Sequence, residues 1–237
     1  MPIGKAGSRR DFLFFSTAAG LLLGVRRGEP SPVQDQELEV TAVEDLMREH
    51  GILRRALLVY TETAPKLRSN PSSVAPDALQ KTARLFRRFG EDYHEKKLEE
   101  PFIFPAVKKA GGPAAAYPDL LTAQHQRGRE ITDFIISAMS GSRLGTANAG
   151  TLARVMDEFV LMYRNHAARE DTIVFPAWKR TMSSKLYEEM SDKFEEIERQ
   201  MFGKDGFEDA ERQMTEIENS LGLSNLAQFT SPPPPKS

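Results

Sequence analysis

The sequence predicts an all-α protein: an up-down antiparallel four-helix bundle with additional C-terminal helices. Three observations predict it. Apolar residues recur at helical spacing over most of residues 38–221, and no segment alternates apolar and polar side chains as a half-buried strand would. Proline and glycine signals divide that stretch into long segments with modest connections. The chain has 237 residues with 40% hydrophobic content, enough for one domain with a substantial core plus tails.

Residues 1–30 are expected to lie outside that fold. A basic start (Lys5, Arg9, Arg10) precedes an apolar run from Phe12 to Val25, broken by Ser16, Thr17 and Gly20. The run is too short to span a bilayer comfortably but has the length of a signal-peptide core. Ser8-Arg9-Arg10-Asp11-Phe12-Leu13 resembles the twin-arginine export signal, with Phe14 where a lysine usually follows. The resemblance implies export of an already folded protein to the periplasm. No small-x-small cleavage site precedes Arg26-Arg27, so a cleaved signal and an uncleaved membrane tether both stay open. The competing reading is a short amphiphilic tail. Residues 31–37 continue as a linker, and residues 223–237 form a proline-rich tail.

The helices follow in order. Residues 38–64 carry Leu46, Leu53, Leu57 and Val59, with Pro65 as the expected stop. Pro76-Asp77 opens a second helix through about His94, with Leu79, Leu85, Phe86 and Phe89 on one face. After a Gly111-Gly112-Pro113 loop, a third helix runs from about Tyr117 to Ser140, and a fourth from about Ala147 to Glu170. The dipeptides Phe104-Pro105 and Phe175-Pro176 bend or restart the chain, each followed by a helical turn. Residues 181–222 form an extension of two amphipathic helices, 183–201 and 207–221, separated by Gly203 and Gly206.

Composition excludes several functions. Cysteine is absent, which removes disulfides, thiolate zinc sites, iron–sulfur clusters and a cysteine nucleophile. A formal net charge of -2, with both signs interspersed, provides no basic field for nucleic acid. Any bound metal must use His, Asp or Glu.

One internal comparison carries the chemistry. Residues 99–107 read Glu-Glu-Pro-Phe-Ile-Phe-Pro-Ala-Val, and residues 170–178 read Glu-Asp-Thr-Ile-Val-Phe-Pro-Ala-Trp. Each follows a histidine, His94 or His166, and each is preceded by another helix with its own histidine, His50 or His125. Each of the four predicted helices thus carries one histidine. Two similar helix pairs packed about a pseudo-twofold would bring all four histidines inside. Two nearby metal ions repel one another; bridging carboxylates offset that charge while imidazoles complete each shell. His166 and Glu170 are neighbours at i and i+4 on a helix. Counting back from the Phe-Pro dipeptide, Glu99 matches Glu170, but it stands five residues after His94, about 140° away on an ideal α-helix. A one-residue π-bulge would restore the alignment. Glu95 and Glu100 compete locally with Glu99, as Asp171 does with Glu170.

His50, His94 with Glu99, His125, and His166 with Glu170, together with the two Phe-Pro marks, resemble the hemerythrin-like (HHE cation-binding) family over residues 38–180. The resemblance implies an up-down bundle holding two non-haem iron ions, with manganese or zinc as alternatives. It assigns the four histidines as terminal nitrogen ligands and Glu99 and Glu170 as bridges. It implies a small-molecule partner: dioxygen, peroxide or nitric oxide. The oxygen-carrying members have a fifth histidine where this chain has Arg129, and Glu130 is the nearest substitute ligand. A site with fewer imidazoles favours oxidation or peroxide chemistry over reversible carriage.

Three functions are therefore expected to compete: a di-iron protein that binds or senses dioxygen, a di-iron oxidase or peroxidase removing reactive oxygen species, and a structural bundle without redox metal. Singly, each residue also has a bland reading. Phe102, Phe104, Ile173 and Phe175 read as core packing. Tyr93 and Tyr163 either pack or hydrogen-bond near the metals. Arg54 and Arg129, each four residues after a histidine, are either exposed or paired with carboxylates behind the ligands.

Overall fold

The computed structural model describes residues 40–139 and 146–235; the twin-arginine-like segment 1–30 and the linker 31–37 lie outside the described residues. Every regular element among the described residues is helical. The chain runs α1 (Ala42–Ser69), α2 (Pro76–Leu85), a π-helical stretch (Phe86–Ile103), α3 (Phe104–Ala110), α4 (Pro118–Ala138) and α5 (Thr146–Arg169). A second π-helical turn (Glu170–Val174) leads into α6 (Phe175–Lys179), and α7 (Ser184–Phe202) and α8 (Gly206–Leu221) follow.

Helix α1 lies along α5, while α2 meets α4 and α8. Leu46, Leu53, Leu57 and Tyr60 of α1 meet Leu152, Met156, Phe159 and Tyr163 of α5 in one apolar cluster that also takes in Phe86 and Phe89. The aromatic contacts Tyr60–Phe159, Phe86–Phe159 and Phe86–Tyr163 have ring centroids 5.9, 5.0 and 4.8 Å apart. These tilted and edge-on geometries hold one end of the interior by area and quadrupole together.

Two boundaries differ from the sequence expectation. Pro65 does not end α1; it lies inside the helix, which continues to Ser69. Proline leaves the Thr61 carbonyl without its usual donor, at a cost of roughly 3 kcal/mol. Burial of Ala64 and Leu67 on the core face carries the helix past it. The second helix likewise runs on past His94 without a break, as the π-helical stretch to Ile103. Where a one-residue bulge was expected, the widened register extends over 18 residues. A glycine pair turns the chain after α3: Gly111 and Gly112 sit at φ of 72° and 74°, a region that favours glycine.

The C-terminal helices share the same core. Ser183 and Asp205 cap α7 and α8, accepting from the backbone N–H of Leu186 and Glu208. Arg55 of α1 donates to Glu218 of α8 through Nε and Nη2 at 2.9 and 2.7 Å. At the start of α1, the Val43 N–H donates to the Tyr187 hydroxyl at 2.8 Å and the Ala42 N–H donates to Ser191 Oγ at 3.1 Å. Side chains of α7 thus satisfy two of the four backbone donors that a helix start leaves open.

Candidate metal centre

His50 on α1, His94 and Glu99 on the long π-helical stretch, His125 on α4, His166 on α5 and Glu170 on the second π turn converge in the interior, all of them buried. The π register explains the first-half spacing. The backbone N–H of Phe104 donates to the Glu99 carbonyl, five residues back, and that of Phe175 donates to Glu170 in the same way. A wider turn brings positions i and i+5 onto one face. His94 therefore meets Glu99 across five residues. His166 sits on α-helix, which ends at Arg169, and so meets Glu170 across four.

The ring nitrogens form two pairs. His50 Nε2 and His94 Nε2 are 3.0 Å apart, and His125 Nε2 and His166 Nε2 are 3.1 Å apart. Both carboxylates lie between the pairs. Glu99 presents Oε1 to His94 Nε2 at 3.3 Å and Oε2 to His125 Nε2 at 3.2 Å. Glu170 presents Oε2 to His50 Nε2 at 3.5 Å and Oε1 to His166 Nε2 at 3.0 Å. None of these four carboxylate oxygens has a hydrogen-bond partner. Buried anionic oxygens without donors are costly, as are facing imidazole lone pairs at 3 Å. Cations or protons must stand between them: His125, His166, Glu99 and Glu170 gather closely enough to hold an ion at one pole, and His50, His94 and Glu99 at the other, where Glu170 Oε2 lies beside His50.

A second layer sets the ring tautomers. His50 Nδ1 is 2.7 Å from Asp171 Oδ1, and His94 Nδ1 is 2.6 Å from Glu49 Oε2. His125 Nδ1 is 3.0 Å from Glu100 Oε1, and His166 Nδ1 is 2.9 Å from Gln124 Oε1. Each partner oxygen accepts a hydrogen bond from an Nδ1–H, which leaves the Nε2 lone pair pointing inward as a metal ligand requires. The layer follows the internal repeat. Glu100 and Asp171 follow the two central carboxylates and serve His125 and His50. Glu49 and Gln124 precede histidines and serve His94 and His166. Arg54 donates to Asp171, as Arg129 donates to Glu100. Behind one pole, Arg129 also reaches Glu95 at 3.0 Å, and the buried Tyr163 hydroxyl donates to Glu95. Tyr93 donates to Glu49 at 3.2 Å.

Electrostatics agree with a site built for cations. Burial, then repulsion from Glu99, pushes the Glu170 carboxyl well above its usual range. Burial also disfavours ionised Glu99, but the charges of His94 and His125 outweigh it and hold that carboxyl well below its usual range. Burial opposes charge on His125, yet Glu95 and Glu100 raise it to about 10. Burial and the neighbouring His125 depress His166 to about 3. A chain without cations must therefore distribute protons unevenly over the cluster, whereas two divalent ions compensate both carboxylates at once.

The geometry brings together all six residues singled out from the sequence. Glu95, Glu100 and Asp171, weighed as competing ligands, stand behind the rings at the Nδ1 side. Glu130 is exposed and pairs with Arg127 at 3.3 Å, so it does not reach the centre from the outward face of α4. Glu49 and Gln124 were not anticipated. The only sequence signal was their place directly before His50 and His125, and each serves a histidine on a different helix.

The family model for the hemerythrin HHE cation binding domain matches residues 41–178. The chain belongs to this family. Among curated relatives, uncharacterized proteins of Mycobacterium tuberculosis and Mycobacterium bovis are 42% identical over 205 residues, covering 86% of this chain and 79% of theirs. No solved structure matches. The hemerythrin domain is thus a metal-binding module, and its buried His/Glu cluster has the donor chemistry for that role.

Glu91 is a buried acid outside the cluster. Glu91 accepts from Thr132 Oγ1 at 2.5 Å and lies 3.0 Å from Arg87, yet burial raises its pKa to about 7. An acid raised on folding costs nothing below its unfolded pKa, and its cost grows until pH passes the folded value. Native stability is therefore expected to fall relative to Glu91→Gln between about pH 4.5 and 7. The gap should reach up to about 3 kcal/mol, at about 1.4 kcal/mol per unit. Urea titrations of both proteins at pH 5 and 8 check this; equal gaps at both pH values would refute it.

Proposed function

We propose that this hemerythrin domain holds two non-haem iron ions in an up-down antiparallel four-helix bundle, and binds or senses dioxygen or a related small molecule there. The observation that carries the reading is the set of four buried oxygens of Glu99 and Glu170, one facing each histidine and none hydrogen-bonded. His50 and His94 with Glu99 Oε1 and Glu170 Oε2 would hold one ion; His125 and His166 with Glu99 Oε2 and Glu170 Oε1 would hold the other. The imidazole and carboxylate donor set, with no thiolate, suits iron, with manganese or zinc as alternatives. Iron held there would supply the electrons needed to bind a diatomic ligand, which no side chain of the cluster can do.

The chain's own residues prepare the place. The acceptors at each Nδ1 lock the rings. Phe175 stacks on His50 and Phe104 on His125, with ring centroids 5.4 Å apart in both pairs. These rings keep water from the imidazole faces and leave the interior apolar beside the ligands. A low-polarity surround favours an uncharged diatomic over water.

A second reading, a di-iron oxidase or peroxidase removing reactive oxygen species, is supported by Arg129. It occupies the position of the oxygen carriers' fifth histidine and turns its guanidinium to Glu95 and Glu100. The donor set is then richer in carboxylate, which stabilises oxidised ions. Elemental analysis of protein purified without chelators tests both readings. About two irons per chain, reduced in His166→Ala, are expected; no metal, or one zinc indifferent to the substitution, would sink the di-iron site. For the loaded protein, a reversible dioxygen spectrum supports binding or sensing, and rapid peroxide loss supports the enzyme.

A further inference from the structure

We infer that the domain carries a second ligand site, separate from the metal cluster, for a single-chain amphiphile with an anionic head such as a long-chain carboxylate. A cavity of about 930 Å³ lies where the two repeated segments approach each other and α7 packs across them. Such a volume falls in the range of small-molecule sites, roughly 300–1,000 Å³.

The internal repeat builds the cavity symmetrically. In the register that matches Glu99 with Glu170, Phe102 corresponds to Ile173, Ala106 to Ala177, Val107 to Trp178 and Lys109 to Arg180, and all eight line it. The two alanines leave the space; a larger residue at either position would fill it. Leu186, Met182 and Met190 close the third side, and unbranched methionines adapt to the contour of an alkyl chain. Leu186, 44% exposed, adds its apolar side chain to that wall.

The charges select the head group. Lys109 and Arg180 are exposed at the rim, and neither makes an ion pair among the described residues; the neighbouring Lys108 and Lys179 instead engage Asp119 and the Tyr187 ring. No carboxylate lines the cavity. Apolar walls below two matched cations recognise one anionic end and an alkyl body. The site requires no metal, so it stands or falls apart from the di-iron reading.

The chain has one tryptophan, Trp178, and it forms part of the wall, stacked on Phe194 at 5.5 Å. Its fluorescence therefore reports occupancy directly. Dodecanoate, added below its micelle-forming concentration to the full chain, is expected to shift the emission saturably. Ala177→Leu should weaken binding at least tenfold. Lys109→Gln with Arg180→Gln, both at exposed positions where folding is indifferent, should weaken it at least threefold. Dodecyltrimethylammonium should not bind. Equal binding of that cation, or equal dodecanoate binding by wild type and both variants, would overturn the proposal. An emission change that follows protein concentration alone would assign the groove to a second copy and overturn it. Co-sedimentation with phosphatidylglycerol vesicles, without any response to free dodecanoate, would assign it to a membrane surface and overturn it too.

Discussion

Glu170→Gln is expected to move thermal stability in opposite directions with and without iron. In the iron-free protein, Glu170 and Glu99 place four undonated oxygens between the imidazoles, and burial with the Glu99 charge disfavours ionised Glu170. Gln keeps the shape, removes the charge and brings an NH2 that can donate to Glu99. The iron-free variant should therefore gain on the order of 1–3 kcal/mol. At about 2–4 °C per kcal/mol for a chain of this size, that is a rise of several degrees. With iron, the same change replaces one of the two Glu170 oxygens by an NH2 that cannot ligate and removes the negative charge, so one pole loses an oxygen and iron content should fall to about one per chain or less. Metal affinity is folding free energy, so the variant's melting temperature after iron loading should lie at least about 10 °C below that of loaded wild type. Calorimetry of chelator-treated and reconstituted samples reads both arms. A drop in both states would make Glu170 a structural residue and not a ligand.

Phe175→Ala should be the most damaging single change among the packing residues around the centre. The ring is fully buried, stacks on His50 at 25° and meets His94 edge-on with centroids 6.4 Å apart. Its removal leaves a cavity against two imidazoles, with an expected cost of about 3–5 kcal/mol. The His50 and His94 rings also lose the wall that holds them, so iron release to a chelator should be faster than from wild type. Phe175→Leu restores most of the volume and should recover most of both properties. Urea titration and timed iron release check the pair. A cost under about 1 kcal/mol for Phe175→Ala would show that neighbouring side chains close the gap and that the stacked ring does not position His50.

The residues that meet at the buried centre were largely legible in the chain. One histidine per helix and two matched carboxylate–Phe-Pro segments name the six central residues, because ligand type and helical period are local properties. Counting from Phe104-Pro105 picks out Glu99, which the structure brings beside His94 and His125 in spite of the five-residue spacing, since a proline mark keeps its register when the turn upstream widens. The extent of the π-helical stretch was not legible; no residue type signals a π turn as proline signals a bend. Pro65 misled for a related reason. Its local cost is real, but burial of Ala64 and Leu67 across the helix interface outweighs it.

The sequence by itself determined the all-helical class, the family, and which side chains gather at the centre. Tertiary structure alone decided what stands behind them. Glu49 and Gln124 each serve a histidine on a different helix, and Ala106 and Ala177 make a cavity only because their two segments meet. Helical periodicity specifies which face of a segment is buried, whereas the partner that a buried atom meets depends on how the helices cross and at what height.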